Sequence, residues 1–310
     1  SLPALEGELT GEFALLKFSS APKLRWKLDL TDGNREVREA EIEVEGPGTA
    51  LRARVQFDSD GQAVWRLRSA RVDLAAWLGA MGPHLGEWFA GVKAQGVLVA
   101  EGDGTWREGT LGGAARFAVT SGRIDDPANK FVLEDVSLDL SLDDLAGRHA
   151  APGQILAWTG GRYDEIEIGP GRVRFSLQGG DVSVEEASLT VLGGEVKLAS
   201  FAFSLSRMEM SVIARVVGID LSQLLRWLPP VLAEARGRLD GSVTLRRDAS
   251  GIRIGAGRLA LDPGQRTELR FEPTPGLLSH TLPATVLKYY PGLGKIESGE
   301  IPIQANLLEI

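Results

Sequence analysis

Few residues in this chain are of a type and spacing that could do chemistry. The three histidines, His84, His149 and His280, lie far apart. None has a second ligand at the helical or hairpin spacing that a zinc site requires. There is no cysteine, so a thiolate nucleophile and a disulfide are both excluded. Asp139, Asp143 and Asp144 are close enough in sequence to hold a cation in principle. Their place at the end of an alternating segment reads instead as a solvated strand face running into a turn. Asp58-Ser59-Asp60-Gly61 has the opening of a calcium loop without the glutamate that closes one, and reads as a hairpin turn. G-x-S-x-G, P-loop and H-E-x-x-H patterns are absent. The residues therefore predict a protein that is not an enzyme, with no catalytic residue, metal or cofactor.

The aromatic residues fit packing better than recognition. Trp77, Trp88 and Trp227 fall on or beside helical stripes, and Phe175, Phe201 and Phe203 fall on the apolar parity of strands. Basic residues are scattered and outnumbered, 34 against 42 acidic for a net charge of −8, which argues against nucleic acid as a partner. No stretch approaches the 18 or so apolar residues of a membrane span. The first residues lack a basic and an apolar region, so a signal or anchor is expected to have been removed or never to have existed.

What the chain does carry is alternation. Leu51, Ala53, Val55 and Phe57 share one parity while Arg52, Arg54 and Gln56 take the other, the period-two pattern of a strand with one wet face. The same pattern recurs in Val136-Leu138-Leu140-Leu142, Val173-Phe175-Leu177 and Met208-Met210-Val212-Ala214-Val216. Buried parallel strands read as continuous apolar runs, so this alternation means antiparallel sheet. Turn signals such as Gly179-Gly180-Asp181 and Gly193-Gly194 punctuate it roughly every ten residues, as in meandering hairpins.

Three segments break the alternation and read as helix. The first runs near 73–91, with Asp73 as N-cap and Leu74, Trp77, Leu78, Met81 and Leu85 on one stripe. The second runs near 220–235, interrupted by Pro229-Pro230, and a weaker third lies near 281–290. Val72-Asp73-Leu74 and Ile219-Asp220-Leu221 each follow an alternating strand, and each helix returns to a strand at Gly96 or Gly237. The sequence thus predicts a mainly β fold: a long twisted antiparallel sheet forming a groove, in two quasi-repeats, 1–150 and 151–310, each with an amphipathic helix. The boundary is placed in the Gly/Pro-bearing stretch from Gly147 to Gly161.

A one-sided apolar sheet must be covered by a second sheet, by helices or by an apolar ligand. Sandwich packing is the ordinary solution. The sharper reading is a curved sheet whose apolar concave face holds acyl chains. Its candidate lining is Val173, Phe175, Leu177, Val196, Leu198, Phe201, Phe203, Met208, Met210 and Val212.

The second half resembles a known family. Val184 to Val196 with its Gly193-Gly194, then Ile219-Asp220-Leu221, then Gly237-Arg238-Leu239-Asp240-Gly241 and Gly251-Ile252-Arg253-Ile254, follow in the order seen in bacterial AsmA-like proteins, closest to the YdbH branch. The resemblance covers roughly residues 155–265. It implies a periplasmic segment of an inner-membrane-anchored protein, with phospholipid acyl chains as its ligand. It also implies contact with the inner and outer membranes through a missing anchor or partner proteins. Some twenty strands at about 4.8 Å would span about 100 Å, short for a bridge between membranes, so one segment of a longer protein is expected. The alternative is a structural or assembly factor that captures outer-membrane or secreted proteins by strand-edge pairing.

Overall fold

The computed structural model describes residues 8–9, 25–33, 37–46, 48–57, 62–81, 91–205, 207, 209–225, 232–248, 251–262, 267–273, 276, 283, 288–289 and 292–304. The fold is mainly β and antiparallel. It divides into two compact units, Ser1–Ala187 with Ser200–Met208, and Ser188–Ala199 with Glu209–Ile310.

The first unit is a meander. Its strands are β1 (Glu8–Leu9), β2 (Arg25–Gly33), β3 (Val37–Gly46), β4 (Thr49–Phe57) and β5 (Ala63–Asp73), then helix α1 (Leu74–Met81). There follow β6 (Lys93–Arg107), β7 (Thr110–Asp126), β8 (Phe131–Leu142), β9 (Ala150–Trp158), β10 (Gly160–Tyr163), β11 (Ile166–Gln178) and β12 (Asp181–Val191). From β2 to β8 each strand pairs antiparallel with the next. Strands β9 and β10 together pair with β8 on one side and β11 on the other. The stretch from Gly147 to Gly161, expected as a boundary, thus contributes a strand to this unit. Glycine is required where Trp158 crosses to its partner Gly171, since a Cβ there would overlap the indole ring.

The second unit continues the pattern with β13 (Gly194–Leu198) and, after the short β14 (Phe201–Ser204) that belongs to the first unit and pairs there with β12, β15 (Met210–Asp220). Helix α2 (Leu221–Leu224) leads on to β16 (Leu232–Arg236), β17 (Arg238–Asp248), β18 (Gly251–Leu261), β19 (Glu268–Phe271), helix α3 (Gly292–Glu297) and β20 (Ile303–Gln304). Strands β13, β15, β17 and β18 form one antiparallel run. Strands β16, β19 and β20 form a separate three-stranded sheet.

The helices differ from their sequence expectation in extent. Helix α1 starts after Asp73 as expected, but Gly91 and Val92 are already outside it, and 82–90 lie outside the described residues. The second helix is one turn long. Leu232–Arg236, expected as its end, is strand β16 paired with β19. Two prolines remove consecutive amide donors, so the chain leaves helix before Leu232, and the apolar spacing beyond them belongs to a strand. Of the third helix, near 281–290, Lys288 and Tyr289 are helical and most of the rest lies outside the described residues; α3 begins just beyond it.

Candidate functional site

Cross-strand register in the first unit assembles the alternating positions into rows on one face. One row runs Val44, Leu51, Ala70, Ala100, Phe117, Leu140. Its neighbours run Ile42, Ala53, Leu67, Gly102, Ala115, Leu142 on one side and Thr49, Val72, Leu98, Val119, Leu138, Leu156, Val173 on the other. The last row crosses seven strands, about 29 Å at roughly 4.8 Å per spacing.

Burial along these rows is inverted relative to a closed core. The small residues Ala70, Ala100 and Ala115 are buried, sheltered by their neighbours. The large ones, Leu67, Leu98, Phe117, Leu138, Leu140, Leu142, Leu156 and Val173, are only half-buried. Among the described residues, the helix packed on these strands is α1, against β5 and β6. At the far end of the same face Trp106 and its partner Leu111 are each 52% exposed.

The second unit contrasts with this. Leu221 and Leu239 are 0% exposed, and Val216, Ile219, Ala235, Leu261 and Leu269 are buried with them in one cluster. Leu224, Leu225, Leu232 and Ile303 pack on that cluster from α2 and the three-stranded sheet.

The expected lining residues therefore divide. Val173, Phe175 and Leu177 lie on β11, half-buried, with Val173 opposite Leu156 and Leu177 opposite Ala150. Phe201 and Phe203 are stacked with centroids 6.1 Å apart, opposite Val184 and Val182 of β12. Leu198 and Met210 are half-buried in the second unit. Val196 packs on its closed cluster, and Val212 is 4% exposed. Met208 lies outside the described residues. The expected lining omits the rows on β4 to β8, although the alternation in Leu51 to Phe57 and Val136 to Leu142 signals them.

The opposite face of the first unit is a polar ladder. Arg54 pairs with Glu39 at 2.7 Å and Glu41 at 3.2 Å, and Arg116 holds Asp139 through two hydrogen bonds of 2.9 and 2.8 Å. The Arg116 guanidinium keeps the Asp139 carboxyl below the usual carboxylate range. Asp143 meets His149 Nδ1 at 2.5 Å, and this hydrogen bond lowers the Asp143 pKa. Asp139 and Asp143, two of the three carboxylates near enough in sequence to share a cation, are thus engaged singly, with partners of their own. Among the described residues no three His, Asp or Glu side chains are grouped to hold a metal. An open cleft of about 450 Å³ on this face is lined by Arg66, Glu101, Asp103, Arg116, Ser141 and Asp143, with no nucleophile and base in contact.

A face of this kind, apolar across many strands and ladder-like behind, matches a specific family. The family model described as intermembrane phospholipid transport protein YdbH matches residues 4–276. The chain belongs to the YdbH-like family. No curated protein and no solved structure matches it. In this YdbH-like chain the motifs behind the resemblance are structural. Gly193, with φ of 70°, turns β12 into β13, Asp220 caps α2 by accepting from the Ser222 amide at 2.8 Å, and Gly237 precedes β17. No described helix is long and apolar enough to cross a membrane.

Proposed function

We propose that this YdbH-like chain binds phospholipid acyl chains on the apolar face of its first unit, as a periplasmic lipid-conducting segment in transport between the inner and outer membranes. The observation that carries the reading is the inverted burial along β4 to β11. Large apolar side chains stay half-exposed across seven strands while only the small ones are buried. An aqueous protein that keeps such a face open needs an apolar occupant. Each methylene taken from water contributes about 0.8 kcal/mol, and a flat row without directional polar groups suits a chain that must bind and still slide. Val173, Phe175 and Leu177 extend this face, and Phe201 and Phe203 belong to the same unit. The membranes are reached through an anchor or partner proteins, and neither a metal nor a catalytic residue enters the activity.

The test is transfer of a fluorescent-acyl phospholipid from vesicles to the purified chain. Leu140→Asp and Phe175→Asp should leave the chain folded by circular dichroism and abolish uptake. Uptake unchanged in both folded variants would remove the reading.

A further inference from the structure

The two units contain the same local device, and comparing them shows what one has added. In the first, the turn glycine Gly48 (φ 66°) accepts from the Asp73 amide at 2.6 Å, and Asp73 Oδ1 accepts from the Ala76 amide at 3.0 Å to start α1. In the second, the turn at Leu192-Gly193 (Gly193 φ 70°) accepts from the Asp220 amide at 2.8 Å through the Leu192 carbonyl, and Asp220 starts α2. After each helix comes a glycine in the left-handed half of the map, Gly96 at 116° and Gly237 at 139°. Leu74 and Leu98 of one unit thus correspond to Leu221 and Leu239 of the other.

The corresponding residues differ in burial. Leu74 and Leu98 are half-buried, whereas Leu221 and Leu239 are fully buried. The difference begins in the residues just before the glycine. In the first unit Lys93, Ala94 and Gln95 stay in β6 and pair with β7. In the second, Leu232–Arg236 leave the sheet as β16 and pair with β19, which pairs with β20. Ala235, Leu269 and Ile303 of this added sheet then close over Leu221, Leu239 and Leu261. Gly237 permits the closure, because a Cβ there would stand 2.6 Å from Thr267 Oγ1 beside β19.

We propose that the β16, β19 and β20 sheet with α2 is a stopper that seals the apolar face of the second unit at its α2 end, so that acyl chains are excluded from Val216, Leu239 and Leu261. This rests on the reading that the open face of the first unit holds acyl chains. A surface pattern present in both units is thereby a binding face in one and a closed core in the other. Within the second unit, an acyl chain finds no place at the α2 end.

Photo-leucine, close to isosteric with leucine, tests this in the full chain without a disruptive substitution. The labelled protein is equilibrated with vesicles of phosphatidylethanolamine and phosphatidylglycerol, irradiated, and its lipid adducts are mapped by peptide mass spectrometry. Adducts at Leu98, Leu138, Leu140 and Leu156 with only background at Leu221, Leu239 and Leu261 are expected. Adducts at both sets would overturn the stopper while leaving the lipid face standing, and adducts at neither would remove the lipid face and the stopper with it. A folded Leu269→Ala, Ile303→Ala chain should gain adducts at Leu239. Background there in that folded variant would show that the small sheet is not what closes the face.

Discussion

Truncating one leucine in each unit, Leu239→Ala and Leu140→Ala, should give very different costs. Leu239 is 0% exposed and packed among Ile219, Leu221, Leu261 and Leu269. Removing three carbons forfeits about 2.4 kcal/mol of transfer free energy at roughly 0.8 kcal/mol each, and the closed site adds a cavity term, for about 3–5 kcal/mol in all. Leu140 lies in an open row, half-buried. Its removal forfeits about half the transfer term and leaves no closed cavity, so roughly 1 kcal/mol is expected. Two compact units need not unfold together, so a single melting temperature is a poor readout. Hydrogen exchange of β15 and β17 amides for one variant, and of β7 and β8 amides for the other, reports each unit separately. Equal losses of protection in the two variants would refute the distinction between an open and a closed face.

Other expectations follow from single residues. The Ser222 hydroxyl bond, before other causes, holds the Asp220 carboxyl below its usual range. Its contribution is therefore fully present above about pH 4 and lost as pH falls through the lowered folded value. Asp220→Ala should cost about 1 kcal/mol at neutral pH and flatten the acid limb of a stability curve, as urea titrations would show. Gly237→Ala should cost about 1–3 kcal/mol, because φ is 139° and the added Cβ meets Thr267 Oγ1. Gly294→Ala in α3, with nothing within 4 Å, should instead stabilise by up to about 1 kcal/mol in chemical denaturation. Arg116→Ala breaks an exposed pair and should leave thermal unfolding of the first unit unchanged in calorimetry.

Alternation makes the antiparallel strands legible because period two leaves a signature in side-chain polarity alone. Val72-Asp73-Leu74 and Ile219-Asp220-Leu221 likewise mark both helix starts, since the capping carboxylate and the following apolar residue are local features. The end of the second helix is not legible. Leu224, Leu228, Val231 and Leu232 have helical spacing, and only the distant partner strand Glu268–Phe271 decides that Leu232–Arg236 is a strand. The lining of the face is legible in part. Parity tells which side of β11 is apolar, placing Val173 and Phe175, but Val196 and Val212 have the same parity on strands whose face is closed or buried. Whether an apolar face is covered depends on a distant segment packing on it, which no local pattern encodes.

The most direct measurement of the central claim is the lipid carried by the chain itself. The account predicts that protein produced in a bacterial envelope and released without detergent retains phospholipid, seen by native mass spectrometry and identified after extraction. It further predicts that Phe117→Asp with Leu140→Asp removes that lipid from a chain that stays folded. A folded parent that carries no lipid, even after incubation with phospholipid vesicles, would contradict it.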